Sequence, residues 1–163
     1  MRLSKILLVA AIALWLALVA FGNITDYGSN LAFVRHVMAM DSIFPDAAIH
    51  YRAIHSPWLQ HAAYVLIIAT ETLAAALCGL GARRLWRARH APAALFRRAG
   101  RLSVAGLSLG VLLWLGGFMA IGGEWFGMWM STQWNGLDSA FRFVAVLLLA
   151  LVHLGQRDDE LDG

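Results

Sequence analysis

Four long apolar stretches, separated by more polar segments, dominate the sequence. They cover residues 6–22, 59–80, 102–121 and 137–155. An α-helix rises about 1.5 Å per residue, so about 20 apolar residues cross the roughly 30 Å hydrocarbon layer of a membrane. The pattern therefore predicts an all-α fold, a four-helix transmembrane bundle that residues 1–163 form as a single integral membrane domain.

The first and fourth stretches need an argument of their own. The first follows a basic start, as in a secretory signal peptide, but no small-x-small cleavage motif follows it and it is long enough to span. We therefore interpret it as an uncleaved membrane helix. The fourth reaches spanning length only if Arg142 lies one turn inside the membrane and extends to the headgroups. Asp138 stands four residues earlier, which predicts an ion pair between the two side chains.

The segment between the first two stretches, residues 24–56, is too long for a turn and too apolar for a disordered linker. Apolar residues recur at helical spacing after Asn30, which predicts a short helix with Asn30 as its cap. Asp46 can cap a second short turn that reaches His55, and Ser56 followed by Pro57 is typical of a helix start. We expect two short interfacial helices between the first two crossings.

Basic residues are concentrated at one end of the predicted bundle. The segment RRLWRARHAPAALFRRAGR between helices two and three carries seven arginines and no acid. Arg2, Lys5 and Arg157 belong to the same end. Because basic residues mark the cytoplasmic side, this end and both termini are predicted to be cytoplasmic, with residues 24–56 and 123–136 outside.

The composition supports a membrane protein and excludes an ordinary soluble domain. Apolar residues make up 60% and charged residues 14% of the chain, whereas soluble domains have roughly 45–50% and about 25%. The net charge of +3 is explained by the arginine-rich end. No nucleic acid partner is predicted, and the lipid bilayer is the first expected partner.

Residues 122–136, GGEWFGMWMSTQWNG, place three tryptophans among polar side chains where the chain leaves the membrane. Tryptophan is enriched at the membrane interface, which explains the rings but not the polar residues between them. A surface that binds a protein partner or a ligand is the alternative, and we expect it to include residues 26–41, which lie on the same side. The candidate binding residues are Glu124, Trp125, Trp129, Trp134, Asn135, Asp138 and Arg142.

Glu71 lies near the middle of predicted helix two, between two threonines. An ionised carboxylate at that depth costs several kcal/mol unless it is paired or hydrogen-bonded. We expect an interhelical hydrogen bond to Glu71. Proton handling or contact with a quinone is the alternative.

The sequence contains no metal-binding motif and no serine with a recognisable catalytic base beside it. It has no HExxH or CxxCH motif, Ser42 and Ser131 lack a base arrangement, and Cys78 is its only cysteine. We therefore predict no enzyme, no catalytic residue, no metal and no cofactor. The alternative is a quinone or haem b, and the pair of haem ligands that the sequence offers is His36 with His61.

Small residues at Ser103, Gly106, Gly110 and Gly117 share one face of helix three. In membranes such faces allow close helix packing. The GxxxG motif of residues 106–110 therefore fits packing within the chain, and it fits a homodimer equally well.

Four blocks resemble a known family: ITDYGSN, FVRHVMAMDSIFP, the glutamate within helix two and GGEWFGMWMSTQWNGLDSAFRF. They are similar to predicted small bacterial integral membrane proteins of a domain of unknown function, DUF2165, over nearly the whole chain. The resemblance implies a four-helix protein of the bacterial inner (plasma) membrane and assigns no residue a role. We expect a non-enzymatic accessory or protective protein that binds a membrane or periplasmic partner through its outer face. The alternative is a quinone- or haem-holding membrane anchor of a redox complex.

Overall fold

The computed structural model describes residues 1–156, and this range is helical without any strand. Its helices are α1 (Arg2–Thr25), α2 (Tyr27–Ala39), α3 (Pro57–Arg87), α4 (Ala93–Ala99), α5 (Arg101–Val111) and α6 (Leu137–Gly155). Helix α5 continues as a π-helical segment, Leu112–Trp125, and short 3₁₀ turns occur at His50–Arg52 and Met128–Met130. Arg157, which the sequence places at the basic end, lies outside the described residues.

Within residues 1–156, four helices are long and apolar enough to cross a membrane, which confirms the predicted four-helix bundle. They are α1, α3, α5 with its π-helical continuation, and α6. Each turns one face to a common core, where Leu16 of α1, Cys78 of α3, Leu107 of α5 and Leu147 of α6 are fully buried. The opposite faces carry exposed leucines such as Leu14, as expected for helices that face lipid.

Glycines bring α3 and α5 into backbone contact. A Cβ atom at Gly106 would lie 2.7 Å from Cys78 Sγ and 2.8 Å from the carbonyl oxygen of Ala74. A Cβ at Gly110 would lie 2.7 Å from a methyl group of Leu147 on α6. Gly106 and Gly110 therefore pack within the chain, so a homodimer would have to use another surface, whereas a Cβ at Gly117 would contact only Leu113 of its own helix.

We call one end of the bundle the aromatic end; it consists of α2, residues 40–58 and residues 124–136. Leu31 and Met38 of α2 pack with Tyr64 of α3 and with Phe126. The two outer segments meet directly, because the His36 ring stacks on the Trp134 ring with centroids 4.3 Å apart. The expected packing of residues 26–41 against the segment after helix three is confirmed.

We call the opposite end the arginine end; it contains the seven arginines between residues 83 and 101. Arg2 at the start of α1 donates hydrogen bonds to the carbonyl oxygens of Arg89 and Ala91 before α4. Lys5 donates one to the carbonyl oxygen of Gln156 after α6. These contacts connect the start of α1 with the segments after α3 and α6, so Arg2 and Lys5 fasten this end of the fold.

The outer segment differs in detail from the expectation. Helix α2 begins at Tyr27 with Asp26 as its cap residue, and the Asn30 amide donates to the Asp26 carbonyl oxygen from within the first turn. The Asn30 cap is therefore wrong, because an earlier start lets Tyr27 pack on Tyr64. Residues 46–55 contain a single 3₁₀ turn, whereas α3 begins at Pro57 as predicted.

Candidate functional site

A cavity of about 300 Å³ lies among α1, α2, α3, the π-helical segment and α6, on the side of the core that faces the aromatic end. This volume falls at the lower limit of the roughly 300–1,000 Å³ typical of ligand sites. We call it the Glu71 cavity. Its polar lining residues are Asn23, Asn30, Tyr64, Glu71, Asn135 and Ser139. Aromatic side chains, including Phe33 and Phe118, form much of the remaining wall.

Glu71 reaches the cavity from the middle of α3. It lies 13 residues after Trp58 and 12 before Arg83, which corresponds to about 20 Å and about 18 Å along the helix. Its side chain is only 2% exposed, and Asn23 Nδ2 of α1 donates a 2.7 Å hydrogen bond to its Oε2. The expected interhelical hydrogen bond is confirmed, and the carboxyl group keeps hydrogen-bonding capacity toward the cavity.

Tyr64 of α3 also bonds to Asn23, at the backbone of that residue. The Tyr64 hydroxyl donates a 2.8 Å hydrogen bond to the carbonyl oxygen of Asn23. This carbonyl is among the last of α1, which have no partner within the helix. Because Tyr64 and Glu71 stand seven residues apart, they share one face of α3 and clamp Asn23 together.

Three aromatic rings stack beside the cavity, and two of them, Trp114 and Phe143, line it. Phe143 of α6 lies between Trp15 of α1 and Trp114 of the π-helical segment, with centroid distances of 4.2 Å and 4.0 Å and interplanar angles of 5° and 4°. Stacked aromatic pairs add about 0.5–1.5 kcal/mol each beyond their buried area. The stack ties three membrane helices together and gives the cavity a rigid wall.

His61 belongs to a separate hydrogen-bonded group beside the cavity. Its Nδ1 lies 3.0 Å from the Tyr27 hydroxyl, and its Nε2 lies 3.0 Å from the guanidinium of Arg35. Arginine can only donate, so Nε2 accepts, and in the neutral ring Nδ1 then donates to Tyr27. Both ring nitrogens are engaged, and an iron ligand would have to give up one of these bonds.

His36 has different partners from His61. Its Nδ1 lies 2.9 Å from Oδ2 of Asp41, and its ring stacks on Trp134. The two histidines proposed as haem ligands thus belong to different clusters. Within residues 1–156, no three histidine, cysteine or acidic side chains come together in a way that could hold a metal ion.

The exposed tryptophans of the aromatic end do not line the Glu71 cavity. Trp125 is 51% exposed and lies under the Arg52 guanidinium, 4.6 Å from its ring centroid. Trp129 is 50% exposed and meets Phe44 edge-on. Trp134 is partly buried beside His36. Each indole therefore packs on residues 33–52, and the three rings contact different partners.

The polar candidates of the same segment also separate. Asn135 lines the cavity and accepts a hydrogen bond from the Leu137 amide at the start of α6, whereas Glu124 is exposed outside the cavity. Arg142 donates to the backbone carbonyl of Asp138 and to the Ser139 hydroxyl. The predicted ion pair of Arg142 with Asp138 is wrong. Asp138 lies in the first turn of α6, where the helix dipole stabilises a carboxylate without a cation.

Comparison with known families identifies the chain. A family model described as a predicted small integral membrane protein matches residues 1–157. The chain belongs to the DUF2165 family. The match includes every residue of the Glu71 cavity, and the family is one of unknown function. No curated protein and no solved structure matches this DUF2165 chain.

Sequence reasoning found Glu71 and Asn135 but missed Asn23, Tyr64 and Ser139. One signal was available in this DUF2165 sequence, because Tyr64 and Glu71 are seven residues apart and must share a helix face. Asn23 gave a weaker signal as a polar residue at the end of an apolar helix. Nothing in the pattern of α1 shows which residue of α3 it will meet, so their hydrogen bond could be seen only in the structure.

Proposed function

We propose that this protein is a non-enzymatic binding protein of the bacterial inner membrane and takes a small ligand into the Glu71 cavity. The observation that carries the proposal is a carboxyl group at the middle of a membrane helix that borders an open cavity. A polar ionisable group at this depth is costly, and such groups commonly mark binding sites or ion pathways. The cavity has room for a ligand that contacts the Glu71 side chain.

The chemistry of the lining favours binding over catalysis. Ser139 and Tyr64 supply hydroxyl groups, and Glu71 supplies one carboxyl group. The described lining includes no histidine or lysine that could activate a hydroxyl nucleophile. In this proposal the lining therefore recognises and orients a ligand without changing it.

The cavity also changes the expected place of partner binding. Asn30 and Asn135 belong to the aromatic end, so we propose that the ligand enters from there and that the outer surface forms the entrance. Trp58, which is 75% exposed, joins Trp125 and Trp129 at this end. These exposed indoles fit an interfacial belt. Binding of a protein partner in an accessory or protective role stays a prediction.

The engaged nitrogens of His61 argue against haem b as the occupant. A quinone would have to use the Glu71 cavity, and so it is one outcome of the binding experiment below. The redox-anchor function would then replace the one proposed here.

We further propose that the aromatic end is periplasmic and the arginine end cytoplasmic, with both termini on the cytoplasmic side. Single cysteines at exposed positions test this orientation, since the native Cys78 is buried. A membrane-impermeant maleimide added to intact cells with a permeabilised outer membrane should label Gln133→Cys. It should label Arg98→Cys only after the inner membrane is opened, and the reverse pattern would overturn the assignment.

The ligand itself can be recovered from the membrane. The full-length protein is extracted with its native lipids in polymer-bounded discs, and organic extracts are compared by mass spectrometry. The variant Glu71→Gln keeps an oxygen that can accept the bond from Asn23, and Glu124→Gln is the matched control at an exposed acid. Thermal unfolding and gel filtration establish that both variants are folded.

We expect one compound to be enriched with the wild type and with Glu124→Gln, and to fall about tenfold or more with Glu71→Gln. Loss of a hydrogen bond to a charged group costs about 1.5–3 kcal/mol, which corresponds to roughly 10- to 150-fold in affinity. Equal recovery from Glu71→Gln and Glu124→Gln would refute the cavity as the binding site. Recovery of a quinone would favour the redox-anchor function.

A further inference from the structure

We infer that the ligand is a long-chain amphiphile with an amine head, whose head lies at Glu71 and whose alkyl tail lies in an apolar groove beside the cavity. The inference rests on the proposed function and names the class of ligand. It is carried by the groove, by the lining residues that the groove shares with the cavity and by the chemistry of the cavity lining.

The groove has a volume of about 530 Å³ and lies between α2, α3 and the π-helical segment. Phe33, Val34, Ile67 and Phe118 line both the groove and the Glu71 cavity, so the two spaces share one wall. The groove is lined by apolar residues and glycines except for Thr70, whose hydroxyl donates to a backbone carbonyl of its own helix. Such a lining offers an alkyl chain contact and offers a polar group no partner.

The rim of the groove faces lipid. Leu66 of α3 and Leu112 at the start of the π-helical segment are both 67% exposed, and Ile121 is also exposed. All three line the groove. An alkyl chain can therefore enter the groove sideways from the bilayer without crossing a polar surface, while the head enters the cavity from the aromatic end.

The winding of the π-helical segment builds the floor of this groove. Its lining residues form three adjacent pairs, which begin five and then four positions apart: 112 and 113, 117 and 118, 121 and 122. A π-helix bonds residue i to residue i+5, as the Phe126 amide does with the Ile121 carbonyl over 3.0 Å. In an α-helix, residues five apart diverge by about 140°. The wider winding instead brings Gly117 and Gly122 to the same groove, where neither has a side chain to fill it.

The charge of the cavity selects the head. Glu71 and Tyr64 are the ionisable residues of the described lining, which includes no arginine, lysine or histidine. Glu71 can be a carboxylate at this depth only with a counter-charge beside it, and its hydrogen-bond partner in the lining is the neutral amide of Asn23. An ammonium group provides both a positive charge and three hydrogen-bond donors. A phosphate or carboxylate head would be repelled.

Three dodecyl compounds with one tail and different heads test this inference. The full-length protein is placed in nanodiscs of a zwitterionic phosphatidylcholine and titrated with dodecylamine, dodecanol or dodecanoate, and bound molecules are counted by native mass spectrometry. Gly117→Leu fills the groove; a Cβ there makes only an ordinary 3.7 Å contact with Leu113. Gly116→Leu is the control, because a Cβ there meets nothing within 4 Å and Gly116 does not line the groove. Glu71→Gln removes the charge.

We expect the wild type to bind dodecylamine about tenfold or more tightly than dodecanoate, as a charge-assisted hydrogen bond predicts. Gly117→Leu should bind dodecylamine about tenfold more weakly than Gly116→Leu. Glu71→Gln should lose the preference for the amine over dodecanol.

The other outcomes separate the inference from the proposed function. Equal binding of the three compounds by the wild type would overturn the amine head. Equal binding of dodecylamine by Gly117→Leu and Gly116→Leu, with loss in Glu71→Gln, would overturn the groove and leave the cavity in place. If neither Glu71→Gln nor Gly117→Leu changes the binding of any compound, the inference and the proposed function fail together.

Discussion

The hydrogen bond between Asn23 and Glu71 makes a prediction about stability that does not depend on the ligand. Replacing Asn23 with Leu or Glu71 with Met exchanges each polar side chain for an apolar one of similar size, so little cavity or overpacking is expected. Each single variant removes one partner of this 2.7 Å hydrogen bond and leaves the other side chain, Glu71 or Asn23, without it. The double variant removes both polar groups together.

The expected magnitudes follow from this difference. An unsatisfied buried polar group costs about 1–3 kcal/mol, whereas replacing both partners by apolar groups is close to neutral. Interhelical hydrogen bonds in membranes contribute about 0.6 kcal/mol on average and up to about 1.7 kcal/mol. We therefore expect each single variant to lose about 1–3 kcal/mol of unfolding free energy. The double variant should lose less than the sum of the two single losses, with a coupling energy of about 1 kcal/mol.

Equilibrium unfolding in mixed micelles, with increasing dodecyl sulfate and detection by circular dichroism, measures these free energies. The four proteins form a double-mutant cycle, and gel filtration establishes that each starts folded. Independent sites add within about 0.3–0.5 kcal/mol. A coupling energy below that level, or a double variant as unstable as the sum of the two single variants, would contradict the hydrogen bond between α1 and α3.

Two further predictions concern the packing of the bundle and its aromatic end. The unfolding free energy of Gly106→Ala should be about 1–3 kcal/mol lower than that of the control Gly116→Ala in the same micelle assay. The reason is that a Cβ at Gly106 would lie within 3 Å of α3 backbone atoms, which a side-chain movement cannot clear. Equal stabilities would refute the close contact. Ser42 Oγ donates to Ser131 Oγ over 2.8 Å, so the pair Ser42→Cys with Ser131→Cys should form an intramolecular disulfide on mild oxidation, seen as lost maleimide labelling. The single variants should keep their thiols, and an unoxidised double variant would refute the packing of these two loops.

The four membrane helices could be predicted because each is long, apolar and bounded by polar residues. Their ends were harder to place. Helix α1 was expected over residues 6–22 but covers Arg2–Thr25, since Arg2 and Lys5 bond to backbone carbonyls and can therefore lie within the helix. A hydropathy pattern registers such residues as breaks, although their charges are satisfied by groups distant in sequence.

The candidate site was harder to predict than the fold. Glu71 stands out because a carboxyl group in an apolar helix is costly, but its partner depends on the register between α1 and α3, which no local pattern encodes. The π-helical segment is also absent from the pattern, because leucines and glycines suit either winding. The glycine pairs of residues 116–117 and 122–123 are the one sequence feature that fits the π-helical winding, since glycine restricts the backbone least.

The π-helical segment places the two parts of the candidate site next to each other. Trp114 and Phe118, four residues apart, line the Glu71 cavity, and Phe118 also lines the groove with Gly117 and Gly122. Trp114 is fixed by its stack with Phe143, so the start of the segment cannot turn independently of the cavity wall. A return to α-helical winding after Trp114 would carry Gly122 away from the face of Gly117 and put side chains into the groove. The shape of the groove is therefore linked to the winding of one helix, and we expect a ligand that occupied both spaces to stabilise the π-helical form.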